Sequence, residues 1–244
     1  MASREPPWKA DFVSHLKATE DLGAKLQVSL ATVTIDNLPR VRSMGYSGFW
    51  SIRTSSGTIT SCCPSFTTDG RDNKVAHIFG EPERIFRDEH DKYGRGSGGG
   101  GAVEAVYWLE GVRMQWRLRG RCYFVQDRFG MEDISDTDQI KPGLEREQHQ
   151  GLAKTRAAVE PHMATALDVD DVDSVWEAQV QGYYERLSQD IQVSFQRSSF
   201  TIGIVVPDEA EMMDLTDATV ARRRIWKCVV KDGTPQWTVI WDNI

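Results

Sequence analysis

The sequence has no long hydrophobic run and no concentration of basic residues. Nowhere do about 18 apolar residues follow one another, so no membrane-spanning helix is expected. Residues 1–7 lack the apolar segment of a signal peptide, which indicates a cytoplasmic protein. The 36 acidic residues outnumber the 29 basic ones and give a net charge of −7. Because binding to a phosphate backbone requires clustered Lys and Arg, nucleic acid is not an expected partner.

Cysteines and metal-ligand patterns are also scarce. The chain has four cysteines, of which Cys62 and Cys63 are adjacent rather than separated by the two residues that let a pair chelate zinc. Buried free thiols in a reducing compartment are therefore expected. None of the five histidines lies in an H-E-x-x-H or similar spacing, so the sequence predicts no metal site.

What the sequence does contain is a series of short segments with the alternation of β-strands. Residues 26–35 alternate and lead through a turn at Asp36-Asn37 into a second strand, which predicts a hairpin. A second hairpin is predicted over residues 102–125, with Glu110-Gly111 at its turn. Further strands are predicted at 58–66, 200–206, 224–230 and 236–241.

Helical and polar stretches lie around these strands. Residues 8–22 and 174–188 have helical spacing. The run Gly94–Gly101 matches G-x-G-x-x-G formally but lacks a preceding strand and a following helix, so it is predicted to be a mobile loop. Residues 126–173 are polar and acidic and lack strand alternation, so they are interpreted as an insertion in a single domain. Many short strands with a few peripheral helices predict a mainly β fold, either a β-barrel or a β-sandwich.

Three segments of the chain combine side chains suited to a phosphate. A planar guanidinium can hold two oxygens of a phosphate monoester, which carries nearly two negative charges. The alternatives are exposed cations, a helix cap made by a threonine, and a solvated strand face. The side chains concerned are Arg42, Thr67, Thr68, Arg71, Lys74, Gln115 and Arg117.

Together these segments resemble the FMN-binding segments of the pyridoxamine 5'-phosphate oxidase-like split-barrel family. The resemblance implies an FMN-binding split barrel, a mainly β fold in which a β-barrel carries peripheral helices. It implies one domain that covers 1–244, with insertions at 80–101 and 126–173. With FMN as cofactor, it also implies an oxidoreductase acting on a small organic molecule by hydride transfer at the flavin N5. It places Arg42 at the FMN phosphate. It places Met44, Gly45 and Ser47 at the backbone contacts to the flavin ring.

The resemblance also implies roles for residues farther along the chain. Thr67 and Thr68 would donate to the phosphate or ring at a strand-to-helix junction, where a helix amino terminus favours an anion, and Lys74 would add a second cation. Gln115 and Arg117 would reach a flavin held by the other chain, which implies a homodimer with two composite sites. The remaining positions that match polar or cationic flavin contacts are Ser188, its neighbour Gln189, and Arg224.

Departures from the family pattern leave other functions open. Asp72 replaces a family residue of the phosphate helix and places a carboxylate near the phosphate, unless Arg71 neutralises it. Ser47 replaces a family Lys, and the substrate-gripping His of true pyridoxamine phosphate oxidases is absent from residues 214–224, so oxidation of vitamin B6 phosphates is not expected. The alternatives are a flavin-free split-barrel binding protein and a cofactor-independent enzyme that binds an acidic group in the empty flavin cleft.

Overall fold

The computed structural model describes residues 5–24, 26–83, 94–126, 144–187, 199–217 and 219–243 of the chain. The helices and strands in this part of the chain are, in order, α1 (Lys9–Asp21), β1 (Gln27–Val33), β2 (Pro39–Gly45), β3 (Phe49–Thr54), β4 (Gly57–Asp69), α2 (Asn73–Phe79), β5 (Gly98–Leu109), β6 (Met114–Gln126), α3 (Leu144–Val159), α4 (Val172–Glu185), β7 (Phe200–Asp214), β8 (Arg222–Lys231) and β9 (Thr234–Asn243).

The strands form one antiparallel sheet that curves into a split barrel. Its order is β2-β1-β5-β6-β7-β4-β3, and β8 and β9 branch from β7. The first part of β7 pairs with β4 and the last part pairs with β8, so the sheet divides along this strand. The connection between β2 and β3 returns to β4, where Ser47 N–H donates to Ser65 C=O and Ser65 N–H donates to Gly48 C=O. The predicted mainly-β barrel is confirmed.

Two helices, α1 and α2, cover the first hydrophobic core. Trp8, at the N-cap of α1, recurs at helical spacing with Phe12 and Leu16 of the helix, and all three are buried. They pack in one cluster with β1 and β6 residues such as Leu30 and Trp116. Burial of each of these large side chains contributes about 1.5–3 kcal/mol, which accounts for the docking of α1 on the barrel.

A second hydrophobic core lies under α3 and α4. Trp50 of β3 packs against Trp176 of α4, with ring centroids 5.1 Å apart. Ile202 of β7 and Val159 of α3 are buried in the same cluster. No helix in the described ranges is long and apolar enough to cross a membrane.

The strand-to-helix junction near residue 70 differs from the prediction. Thr67 and Thr68 were expected at the junction, but β4 continues through Asp69 because it keeps its antiparallel pairing with β7 to that residue. The first residue of α2 is Asn73, and the helix is capped by Asp72, whose side chain accepts a hydrogen bond from the Lys74 N–H. The sequence analysis also predicted no strand at the position of β3.

The glycine run also differs from the prediction. Gly98–Gly101 form the beginning of β5 and pair with β6, so the mobile-loop prediction is wrong for these four residues. A Cβ on Gly101 would lie 2.7 Å from the Cα of Ile78, which means that glycine allows α2 to pack directly on the strand. The assignment of residues 80–101 and 126–173 as insertions stays a prediction. β5 begins within residues 80–101, and α3, which lies within residues 126–173, packs on β5.

Candidate cofactor site

Arg42, Thr68, Asp72 and Lys74, here called the Arg42–Lys74 cluster, lie where β2, the end of β4 and the start of α2 converge. The Lys74 Nζ donates to the Thr68 Oγ1 at 3.0 Å and pairs with the Asp72 carboxylate at 2.6 Å. Burial lowers the pKa of Lys74, and the nearby positive charge of Arg42 lowers that pKa further, whereas Asp72 opposes both effects. The fold therefore brings two cations together at a largely buried position.

The Arg42 guanidinium is anchored on one side only. Its Nη1 donates to the Leu30 C=O at 3.2 Å and to the Thr32 Oγ1 at 2.7 Å. Partial burial lowers the pKa of Arg42, and the carboxylates of Asp72 and Glu83 oppose that effect. Among the described residues, the hydrogen bonds of this guanidinium all leave from Nη1. Nε and Nη2 are therefore available for a bidentate contact to an anion.

A hydrogen-bond chain that runs from the interior to the surface holds Thr32 under Arg42. Thr32 Oγ1 lies 2.8 Å from His77 Nδ1, and His77 Nε2 lies 2.9 Å from the carboxylate of Glu83. Hydrogen bonds from Arg40 and His77 lower the pKa of Glu83, so the carboxylate is ionised and accepts. In the neutral imidazole Nε2 then carries the proton, and Nδ1 accepts from the Thr32 hydroxyl. Sequence analysis missed Thr32, His77 and Glu83, although His77 follows Lys74 by one helical turn.

Asp72 gives the cluster its negative charge. It caps α2 through the Lys74 N–H at 3.0 Å and pairs with the ammonium of the same residue. Arg71, which the sequence offered as the partner of Asp72, instead makes a bidentate contact with Asp69, at 2.9 Å through Nε and 2.6 Å through Nη2. An anion that binds Lys74 must therefore compete with Asp72.

Only one of the two adjacent threonines reaches the cluster. Successive side chains of a strand point to opposite faces, and β4 pairs regularly with β7 over this stretch. Thr68 is buried beside Lys74, whereas Thr67 lies opposite Ile202 of the second core. The structure thus places Thr68 with Arg42 and Lys74, and Thr67 on the other face.

The predicted ring contacts lie at an edge of the described sheet. β2 ends the strand order, and an edge strand leaves backbone groups unpaired on one side. Met44 packs against the first core, and Gly45 is the last residue of β2. The Ser47 N–H donates to the Ser65 C=O at 3.0 Å, so this group is already used.

Gln115 and Arg117 lie on the opposite face of the sheet from Arg42. Arg42 is in register with Leu30, Leu30 with Ala105, and Ala105 with Leu118. Residues in register point to one face, so Arg117, which precedes Leu118, points to the other. Within one chain, Arg117 therefore does not join the Arg42–Lys74 cluster.

On its own face Arg117 belongs to a ladder of charges. Its Nη2 donates to the Gln115 Oε1 at 3.3 Å, and its Nη1 lies 3.6 Å from a carboxylate oxygen of Glu211. Glu211 is only 2% exposed and also binds Arg223 at 2.8 Å. The predicted polar strand face is thus an ordered array of ion pairs.

Arg224, another predicted site residue, contacts α1. Arg224 donates to Asp11 of α1 at 3.1 Å, and its guanidinium lies 5.3 Å from the ring centroid of Trp226. The ion pair with Asp11 joins β8 to α1. Ser188, with Gln189, lies outside the described residues.

Comparisons with known proteins agree with this architecture. The family model of the pyridoxamine 5'-phosphate oxidase FMN-binding domain matches residues 5–126. A pyridoxamine 5'-phosphate oxidase-related FMN-binding protein from Nostoc punctiforme PCC 73102 is 14% identical, with 98% of each chain covered and a TM-score of 0.60. PhzG from Burkholderia lata 383, solved with tetrahydrophenazine-1-carboxylic acid, is 12% identical, with 98% of this chain and 97% of that chain covered and a TM-score of 0.45.

These two likenesses differ in what they support. At 14% identity the Nostoc protein shows a shared fold, whereas PhzG superimposes less closely. A search of the curated proteins found no match. The family model, however, matches half of the chain. This protein therefore belongs to the family of pyridoxamine 5'-phosphate oxidase FMN-binding domains.

Proposed function

We propose that this protein binds FMN and acts as an FMN-dependent oxidoreductase on a small organic molecule. Arg42, Thr68 and Lys74 hold the phosphate of the cofactor. The observation that carries the proposal is the pair of converging cations, one of which keeps Nε and Nη2 available. When bound, FMN supplies hydride transfer at its N5, and the protein supplies position and electrostatics.

The charges of the Arg42–Lys74 cluster suit a phosphate monoester. Two cations match a group that carries nearly two negative charges. Arg42 is held in orientation by Leu30 and Thr32, so little conformational entropy is lost when its free edge meets the phosphate. Lys74 exchanges the carboxylate of Asp72 for a phosphate oxygen, which keeps its ammonium paired.

The flavin ring is proposed to lie against the exposed edge of β2, at Met44 and Gly45. Gln115 and Arg117 point away from this edge in their own chain. Gln115 and Arg117 can contact the flavin only if a second copy of the chain places the outer face of its β6 against this edge. The proposal therefore includes a C2 homodimer, in which each flavin is shared between two chains.

A second candidate function is a flavin-free split-barrel binding protein. The ion pair between Asp72 and Lys74, at 2.6 Å, favours it, because this pair already neutralises one of the two cations. In that case the cluster serves to stabilise the junction of β4 and α2.

Titration with FMN, followed by quenching of flavin fluorescence, separates the two candidates. Arg42→Ala and Lys74→Ala should each remove a charge-assisted contact of about 1.5–3 kcal/mol and weaken FMN binding ~10- to 150-fold. Arg53→Ala is the matched control, since Arg53 is an exposed cation on β3. A folded wild-type protein that neither carries FMN nor binds added FMN would sink the first function and leave the second.

A further inference from the structure

Two cysteines and a histidine meet in the interior, apart from the Arg42–Lys74 cluster. The ligand atoms of Cys62, Cys63 and His162 all lie within 4.8 Å of one another. Cys62 Sγ is 3.7 Å from His162 Nδ1. All three residues are buried, with exposed fractions of 2%, 0% and 5%.

A bulge in β4 explains how adjacent cysteines face one point. Phe49 pairs with Pro64 and Ser51 pairs with Thr60, so the three residues 61–63 lie opposite Trp50 alone. Such a bulge interrupts the alternation that would send neighbouring side chains to opposite faces. The Ser61 hydroxyl fixes the bulge, since it donates to the Trp50 C=O at 2.8 Å and accepts from the Cys63 N–H at 3.0 Å.

Backbone contacts bring His162 to the bulge. His162 ends the 3₁₀ turn Glu160–His162, which directly follows α3. The next residue, Met163, forms a bridge with Ser61, and the Ala164 N–H donates to the Thr60 C=O at 3.1 Å. The position of His162 beside the cysteines is therefore set by main-chain pairing of the two residues that follow it.

We propose that Cys62, Cys63 and His162 form a binding site for one Zn²⁺ ion. Thiolate sulfur and imidazole nitrogen are the ligands that zinc prefers, at about 2.3 Å and 2.0–2.1 Å. A sulfur and a nitrogen bound to the same ion then lie about 3.5–3.8 Å apart at tetrahedral to trigonal angles. The distance of 3.7 Å between Cys62 and His162 falls in this range.

Three protein ligands leave one coordination position for a ligand that the protein does not supply. The ion would join β4 to the turn after α3, and thereby join the barrel to the α3–α4 layer. No metal site was predicted from the sequence because the adjacent cysteines lack the spacing of a chelating pair. In the bulge, however, the side chains of Cys62 and Cys63 approach one point, so both can bind one ion. The proposal does not depend on FMN binding.

Zinc binding is tested with the full chain, made metal-free with a chelator under reducing conditions. Competition between the protein and a colorimetric zinc chelator should show one Zn²⁺ per chain. Cys62→Ser, Cys63→Ser and His162→Gln should each weaken binding roughly 100-fold or more, since even the loss of an outer-shell partner costs 10- to 100-fold. Cys228→Ser, a half-buried cysteine outside the group, should bind as the wild type does.

If a variant with a substituted buried residue fails to fold, two measurements on the wild-type protein still test the proposal. Co²⁺ in place of Zn²⁺ should give sulfur-to-cobalt charge-transfer absorption, and Zn²⁺ should raise the thermal unfolding temperature. Failure to bind one Zn²⁺ per chain, or a cobalt complex without that absorption, would overturn the proposal. So would full affinity in folded Cys62→Ser and Cys63→Ser, or loss of binding in Cys228→Ser.

Discussion

Asp72 is the residue that most limits how the Arg42–Lys74 cluster can hold an anion. Its side chain has two tasks, capping α2 through the Lys74 N–H and pairing with the Lys74 ammonium. An asparagine keeps the cap, because its carbonyl oxygen accepts in the same way, but it lacks the charge. The capping task can thus be separated from the electrostatic one by a single substitution.

We expect Asp72→Asn to bind FMN more tightly than the wild type. A carboxylate in contact with a dianion would repel it by about 1 kcal/mol or more, so its removal should raise the affinity at least ~5-fold. Fluorescence quenching gives the affinity, and Asp36→Asn in the exposed turn before β2 is the control. Weaker FMN binding in a folded Asp72→Asn protein would show that Asp72 supports the cofactor instead of competing with it.

Residue types and the family resemblance together indicated part of this site. Arg42 and Lys74 were assigned to the phosphate because the segments that carry them resemble the FMN-binding segments of the family. Thr32 and His77 were not predicted, since their contact depends on how α2 packs against β1. The assignment of Thr67 together with Thr68 ignored the alternation of a strand, which sends the two hydroxyls to opposite faces.

At the scale of elements, alternation predicted most of the barrel and failed where strands are irregular. The hairpins β1–β2 and β5–β6 were predicted correctly, as were strands at the positions of β8 and β9. The start of β5 was missed, because four glycines carry no pattern of apolar and polar side chains. Glycine is needed here because α2 packs close to the strand backbone, and this contact is visible only in the tertiary structure.

Gly120 marks another irregular point, the bulge between β6 and β7. A Cβ at this position would lie 2.0 Å from the carbonyl oxygen of Val206. We expect Gly120→Ala to lower the free energy of unfolding by about 1–3 kcal/mol, because the strands must move apart. Urea denaturation measures the change.

Gly182→Ala is the control for this experiment. Gly182 lies within α4, and its added Cβ would meet only the end of Arg186 at 3.4 Å. Alanine in a helix interior should stabilise the protein by about 0.5–1 kcal/mol. Equal stability of Gly120→Ala and the wild type would mean that the bulge relaxes without cost.

At the scale of the whole molecule, the two faces of the sheet carry the two halves of the proposed site. Arg42 lies on the face that α1 and α2 cover, and Arg117 lies on the outer face with Glu211. One chain cannot bring these residues to one ligand. The sequence resemblance implied this division, and the strand register gives its geometric reason.

Mixing two inactive chains tests the shared site. Arg42→Ala and Arg117→Ala homodimers should each bind FMN weakly, whereas a heterodimer of the two variants should contain one intact site. Equilibrium dialysis should then find about half a high-affinity site per chain among purified heterodimers. A wild-type monomer that binds FMN with full affinity would show that Arg117 plays no part.

The central claim, that the Arg42–Lys74 cluster holds the phosphate of FMN, is tested most directly by comparing FMN with riboflavin, which lacks that phosphate. The wild type should bind FMN at least ~10-fold more tightly than riboflavin, since one charge-assisted contact alone contributes about 1.5–3 kcal/mol. In an Arg42→Ala, Lys74→Ala double variant the two affinities should become nearly equal, and riboflavin binding should be unchanged. Equal affinity of the wild type for FMN and riboflavin, or full preference for FMN in the folded double variant, would contradict the claim.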